Sequence, residues 1–257
     1  MSLQAIIFDA YGTLFDVYSI GALAERLFPG KGTAVAELWR DKQIEYTRLR
    51  TLSNTYKPFW EVTQDALVFT CRKLGLELTL DAQTRIMGQY AKLEAFSENL
   101  AVLKSLKTKG LKLAILSNGN PEMLNAAVQA AGMSDLFTQV MSVHTVKKFK
   151  TAPEAYQLGT DTLGVPAKDI LFVSSNCWDV CGAAWFGYRT FWVNRSNAPL
   201  EELGITPHAQ GQSLDDLALF VNPAREGAAT AYSTCRTAPT LSQISKIFNH
   251  FLTGKSS

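Results

Sequence analysis

Five short apolar runs punctuate the chain, at residues 3–8, 112–116, 139–143, 170–174 and 189–193, each rich in Ile, Leu, Val and Phe and bounded by polar or turn residues. Runs of that length and composition predict strands. Helix-length segments lie between them. Residues 120–131 end at Gly132 and 152–163 end at Gly164, and glycine most easily takes the left-handed turn that closes a helix. Strand and helix in alternation predict an α/β fold, a Rossmann-like doubly wound parallel sheet.

Residues 16–95 break this rhythm. They hold no convincing strand and several amphipathic patterns of helical period, among them 33–49 and 60–74. The segment reads as a helical cap inserted into the core, so that 1–15 and 96–222 form the core and 16–95 the lid. The insertion follows closely on Asp9, which places it over the carboxyl edge of the first strand, where ligands bind in open α/β sheets. Residues 223–257 stand apart as a tail. A Pro-, Ala-, Gly- and Thr-containing linker over 223–239 leads to Leu241, Ile244, Ile247 and Phe251, the pattern of one amphipathic helix able to dock or dimerise.

With 257 residues, 47% of them apolar, the chain can bury a sizeable core, and disorder or a disulfide scaffold is excluded as its organising principle. No apolar run approaches the roughly 20 residues of a membrane helix. The start has no basic segment ahead of its apolar residues, so the expected location is the cytoplasm. The net charge is +2, but residues from 223 onward hold Arg225, Arg236, Lys246 and Lys255 against Glu226 alone, leaving −1 for the rest. A near-neutral body without a long basic run gives no footprint for nucleic acid or anionic lipid. Cys71, Cys177, Cys181 and Cys235 are too scattered for a disulfide framework and lack zinc-site spacing, so buried free thiols are expected.

The small polar clusters are informative because each follows a strand. Asp9 follows the first, Ser117-Asn118 the second, Lys150 lies beyond the third, and Ser174-Ser175-Asn176 with Asp179 follows the fourth. In a parallel sheet those ends share one edge, so carboxylates, hydroxyls, amides and an ammonium surround one crevice. Any one of these could be a helix cap. Together they make an active-site inventory.

On these residues the chain resembles the haloacid dehalogenase superfamily. The motifs are Asp9-Ala10-Tyr11-Gly12-Thr13-Leu14-Phe15, Leu116-Ser117-Asn118-Gly119, Lys150 with Pro153 and Tyr156, and Ser174-Ser175-Asn176-Cys177-Trp178-Asp179. Within the superfamily it resembles the L-2-haloacid dehalogenases, over residues 1 to about 222. Phosphatases of the superfamily carry a second acid two residues after the nucleophile and further acids that bind magnesium. Here Tyr11 and Ser175 occupy those positions. A hard divalent cation wants several oxygen ligands, usually carboxylates, whereas a halide leaves as an anion and needs no proton. The resemblance therefore implies metal- and cofactor-free hydrolysis of short (S)-2-haloacids. A small-molecule phosphatase and a non-catalytic binding module are the alternatives.

The resemblance also implies roles. Asp9 is the nucleophile, forming an aspartyl ester that water opens. Lys150 pairs with Asp9, with Lys147 and Lys148 as neighbouring candidates and the six-residue step to Tyr156 favouring Lys150. Thr151 stands where the family usually has Pro, which removes a fixed φ. Thr13, Ser117 and Ser174 hydrogen-bond the nucleophile or the substrate carboxylate, and Asp179 with Asn176 activates water. Arg40, Asn118 and Trp178 cradle the halide, the last two as uncharged donors. Tyr11, Ile44, Phe59 and Trp60 line an apolar wall. The implied partners are a short 2-haloacid, water and a second copy of the chain in a homodimer.

Overall fold

The computed structural model describes residues 3–222, so the tail helix expected over 241–251 and Cys235 lie outside the described residues. One six-stranded sheet runs in the order β3-β2-β1-β4-β5-β6, with every pairing parallel. The strands are β1 (Ala5–Phe8), β2 (Lys112–Ser117), β3 (Gln139–Ser142), β4 (Ile170–Ser174), β5 (Arg189–Val193) and β6 (Ala209–Gly211). The doubly wound α/β fold expected from the alternation is the one observed. β1 and β4 are buried at every position. Side chains on both faces are covered, so these strands read as continuous apolar runs rather than as alternating ones. β6 was not expected, because Ala-Gln-Gly carries no apolar pattern. It exists through its register with β5, where Phe191 pairs with Ala209.

The helices are α1 (Gly21–Leu27), α2 (Gly32–Leu52), α3 (Phe59–Lys73), α4 (Leu80–Tyr90), α5 (Asn99–Thr108), α6 (Pro121–Ala130), α7 (Pro153–Leu163), α8 (Cys177–Phe186) and α9 (Leu214–Phe220). Pro153 begins α7, where its missing N–H is no loss, and Gly164 closes the helix in the left-handed conformation. The first four helices fill the segment between β1 and residue 95. α2 packs along α3, and the Trp39 indole donates to the Thr63 carbonyl at 2.8 Å. The segment leaves and rejoins the sheet at adjacent points, since Phe15 and Ala95 form an isolated antiparallel bridge. The buried Asn99 amide donates to the Leu14 carbonyl at 2.8 Å and secures the junction. These helices and the sheet form one compact unit. No described helix is long and apolar enough to cross a membrane.

The sheet order sets the place of the site. β1 sits between β2 and β4, so the chain winds outward in two directions from it and leaves a crevice at their carboxyl ends. Phe8 is in register with Ile115 on one side and Val173 on the other. The next residue, Asp9, donates its backbone N–H to the Val173 carbonyl at 2.9 Å and stands beside Ser174.

Candidate active site

Asp9 is the centre of the crevice. Its Oδ2 accepts from Asn176 Nδ2 at 2.9 Å, from Thr13 Oγ1 at 3.2 Å and from Ser174 Oγ at 3.5 Å. Its Oδ1 faces Lys150 Nζ at 3.0 Å. The same ammonium reaches Asp179 Oδ2 at 2.9 Å. Asp179 Oδ1 accepts from the Tyr156 hydroxyl at 2.7 Å. The ion triad is almost dry: Lys150 is 1% exposed, Asp179 0% and Asp9 6%.

Local structure explains how these side chains meet. The tight turn after β1 needs Gly12, whose φ is +93° and whose missing side chain leaves space for the Ser175 hydroxyl. That turn brings Thr13 back over Asp9 and lets Thr13 Oγ1 accept from the Ser175 backbone N–H at 2.8 Å. Asp179 lies in the first turn of α8, where the helix dipole favours a carboxylate. Tyr156 reaches it across Gly182, where a Cβ would meet the Tyr156 hydroxyl at 2.4 Å. The Lys150 loop is held just ahead of Thr151 by two backbone hydrogen bonds: Phe149 N–H donates to Thr51 Oγ1 and Lys150 N–H to Asn118 Oδ1, both at 3.0 Å.

Electrostatics divide the triad into unlike halves. Burial works to lower the Lys150 pKa, but the Asp179 and Asp9 carboxylates outweigh it and hold the ammonium above its ordinary value. Asp179 is pushed up to about 6, chiefly by burial, with Lys150 pulling it down and Asp9 adding to the rise. The Tyr156 hydroxyl is pushed well up, by burial first and then by Asp179. It therefore stays a hydrogen-bond donor to that carboxylate.

The helical segment closes over this floor. Arg40 descends from α2, its guanidinium donating to the Tyr11 carbonyl at 3.2 Å and to Asn176 Oδ1 at 3.3 Å. It forms none of the ion pairs that its acidic neighbours on the helix would allow. Tyr11, Arg40, Ile44, Phe59, Asn118 and Trp178 face Asp9 and Ser117 around a cavity with room for little more than a single water. The buried Tyr11 ring stacks on Tyr90 and tilts against Phe59, at 5.7 Å from each. Burial pushes its hydroxyl well above the ordinary value, and among the described residues no atom partners that hydroxyl.

Some candidates take other neighbours than expected. Ser117 Oγ accepts from the Gly119 N–H at 3.1 Å and makes no bond to Asp9, although it lines the cavity. Asn176, expected beside Asp179, instead joins Asp9 to Arg40. Trp60 does not line the cavity; its side chain packs half-buried against the core, and its backbone N–H donates to Asn120 Oδ1 at 2.8 Å. Lys147 and Lys148 lie outside the triad, and Lys148 bonds Asn54. Sequence reasoning missed Gln43, Thr47 and Tyr90. A signal existed in the spacing, since Arg40, Gln43 and Thr47 recur at three and four residues and so share one face of α2.

Could the crevice hold a divalent metal? Its two carboxylates flank the Lys150 ammonium, and among the described residues no group of three His, Cys, Asp or Glu side chains gathers anywhere. The donor set fits an internal cation better than a metal ion.

A parallel sheet with a carboxylate at the end of its first strand, facing a lysine and a second acid, defines a class of hydrolase. The chain belongs to the haloacid dehalogenase-like hydrolase family, whose model matches residues 3–187. It is 46% identical to the (S)-2-haloacid dehalogenase of Pseudomonas sp. strain YL over 212 residues, 82% of this chain and 91% of that protein. It is 42% identical to haloacetate dehalogenase H-2 of Moraxella sp. strain B, over 80% of this chain and 92% of that protein. Among solved structures, an L-2-haloacid dehalogenase at 56% identity superposes with a TM-score of 0.85 over 86% of this chain and 99% of that one. The L-2-haloacid dehalogenase of Xanthobacter autotrophicus with chloropropionic acid covalently bound is 38% identical, with a TM-score of 0.80 over 85% and 98%.

Proposed function

We propose that the protein is a metal-independent (S)-2-haloacid dehalogenase that converts short 2-haloacids to (R)-2-hydroxy acids and halide. The observation that carries this reading is the buried Asp9–Lys150–Asp179 triad, in which an ammonium stands between the carboxylates and Tyr11 occupies the general-acid position of phosphatases. The curated relatives named above support it.

Asp9 attacks C2 of the substrate from the side opposite the halogen. A C–O bond forms, the carbon–halogen bond breaks, and halide leaves with the bonding pair, so the carbon inverts and an aspartyl ester remains. Thr13, Ser174 and Asn176 on Oδ2, and Lys150 on Oδ1, hold the carboxylate for that approach. Exclusion of water strengthens the anion as a nucleophile. Arg40 supplies positive charge toward the leaving anion, with the Asn118 amide and the Trp178 indole beside it. Asn118 commits only its carbonyl oxygen to Lys150, leaving the NH₂ for the cavity.

Water then adds to the Asp9 ester carbonyl. Asp179 takes one of its protons and passes it to the departing alkoxide, and the Asp9 carboxylic acid left behind loses the water's other proton, which restores the carboxylate and accounts for the one proton released overall. Both Asp179 oxygens already accept one hydrogen bond, and each has a second lone pair for this task. The 16–95 segment acts as the lid, core residues 1–15 and 96–222 carry the nucleophile, and the working unit is a homodimer.

The decisive assay measures halide from separate L- and D-2-chloropropionate in EDTA, with p-nitrophenyl phosphate and magnesium run alongside. Chloride from the L form alone is expected. Phosphate release without chloride would replace this reading by a phosphatase, and silence in both by a binding module.

A further inference from the structure

We infer that Gln43, a buried amide on α2, is the positioning residue that aims the Arg40 guanidinium at the reacting atoms while leaving its charge intact. The inference rests on the dehalogenase reading above and deepens it. Gln43 is 1% exposed, and none of its hydrogen bonds goes to Asp9, Lys150 or Asp179. Its Oε1 accepts from Arg40 Nη1 at 2.7 Å and from the Tyr90 hydroxyl at 3.0 Å. Its Nε2 donates to Thr63 Oγ1 at 2.6 Å, and the Thr63 hydroxyl in turn donates to the Phe59 carbonyl at 2.7 Å.

These bonds orient the amide. The Thr63 hydroxyl has spent its hydrogen on Phe59, so it presents a lone pair, which only the NH₂ end of Gln43 can meet. The carbonyl end must then face Arg40. The amide is anchored to α3 through Thr63 and to α4 through Tyr90, and thereby ties three lid helices to one guanidinium. Beyond Arg40 the directed chain continues. Nη2 donates to Asn176 Oδ1 at 3.3 Å, and Asn176 Nδ2 donates to Asp9 Oδ2 at 2.9 Å. A second small cavity, lined by Val17, Ile20, Trp39 and Gln43 itself, lies beside Arg40. Without the amide, Arg40 Nη1 loses its acceptor at 2.7 Å and the guanidinium is held only by the longer bonds to Tyr11 and Asn176.

The choice of amide over acid also matters. A carboxylate at residue 43 would have much the same shape and would still accept from Arg40, but it would form a buried ion pair and cancel the charge that the departing halide needs. A neutral acceptor directs the guanidinium without neutralising it. Two consequences separate positioning from mere packing. Loss of Gln43 should cost more with a poorer leaving group, so chloride should suffer more than bromide. It should also cost nothing once Arg40 is gone.

The test compares Gln43→Glu, Gln43→Leu, Arg40→Ala and the Gln43→Leu/Arg40→Ala double variant in the full chain, on L-2-chloro- and L-2-bromopropionate. The expected result is a fall in kcat of tenfold to a hundredfold for Gln43→Glu and Gln43→Leu with the chloro acid. The fall should be at least threefold smaller with the bromo acid, and the double variant should match Arg40→Ala. Wild-type kcat in Gln43→Glu, equal losses with both halogens, or a full Gln43→Leu penalty on top of Arg40→Ala would each overturn the assignment. Should Gln43→Leu fail to fold, Gln43→Glu with its chloride-to-bromide ratio decides alone. A wild-type protein that released no halide would overturn the dehalogenase reading instead, so the two failures are distinguishable.

Discussion

Replacing Lys150 by Met removes the ammonium from between two buried carboxylates and keeps most of the side-chain volume. At 3.0 and 2.9 Å, each contact is worth about 5.5 kcal/mol of Coulomb attraction at an effective dielectric constant near 20. Most of that attraction offsets the cost of taking three charges out of water. Removing one partner leaves the others uncompensated, and the loss for such a buried pair is about 3–5 kcal/mol. The loss should depend on pH, because Asp179 already sits at about 6 in the fold. A carboxyl whose folded pKa lies above its unfolded value contributes stability at low pH, and that contribution is lost as pH rises through the folded value. Without Lys150 the Asp179 pKa climbs further, which widens the gap from wild type by about 1.4 kcal/mol for each unit. Urea unfolding of both proteins at pH 5 and pH 8 measures this directly. The variant should lose more at pH 8, and its chloride release should vanish. A loss below about 1 kcal/mol, or one that is equal at both pH values, would refute the account of a triad held by its central cation.

Three further outcomes are expected. Turnover should fall as pH drops below about 6, because protonated Asp179 cannot accept a proton from water; Asp179→Asn should be inactive at every pH, and an acid limb that persisted in a more active Asp179→Glu at an unchanged position would implicate another group. Arg40→Ala should lower kcat by about a hundredfold to a thousandfold, as the loss of one preorganised donor does elsewhere, with an unchanged circular dichroism spectrum; unaltered kinetics would remove Arg40 from the halide site. In ¹⁸O-labelled water, repeated turnover should place label in the peptide that carries Asp9, detected by mass spectrometry, and Asp9→Asn should abolish chloride release; label confined to the hydroxy acid would point to direct attack by water on the substrate.

The sheet was legible before the structure because β1 and β4 are covered on both faces. Full burial demands continuous apolar runs, and a polar residue at the end of such a run marks the strand's carboxyl edge. Asp9, Ser117 and Ser174 were located that way, since their place depends only on where a strand stops. The helical patterns over 33–49 and 60–74 correspond to α2 and α3 with ends shifted by a few residues, because amphipathic period survives in a sequence and helix ends do not.

What the sequence could not disclose was decided by distance across the fold. β6 has no apolar signature and forms only because the β5 edge offers it unpaired backbone groups. Lys150 is separated from Asp9 by 141 positions, and its 3.0 Å approach depends on how the loop after β3 folds back over β1. The resemblance pairs Asn176 with the water-activating acid, whereas the turn into α8 points its amide at Asp9 and Arg40. Gln43 looked like an ordinary polar residue on a charged helix. Its spacing from Arg40 and Thr47 marks a shared helix face, but it acquires its partners only when α2, α3 and α4 close around it, because a hydrogen-bond network between helices is a property of their packing.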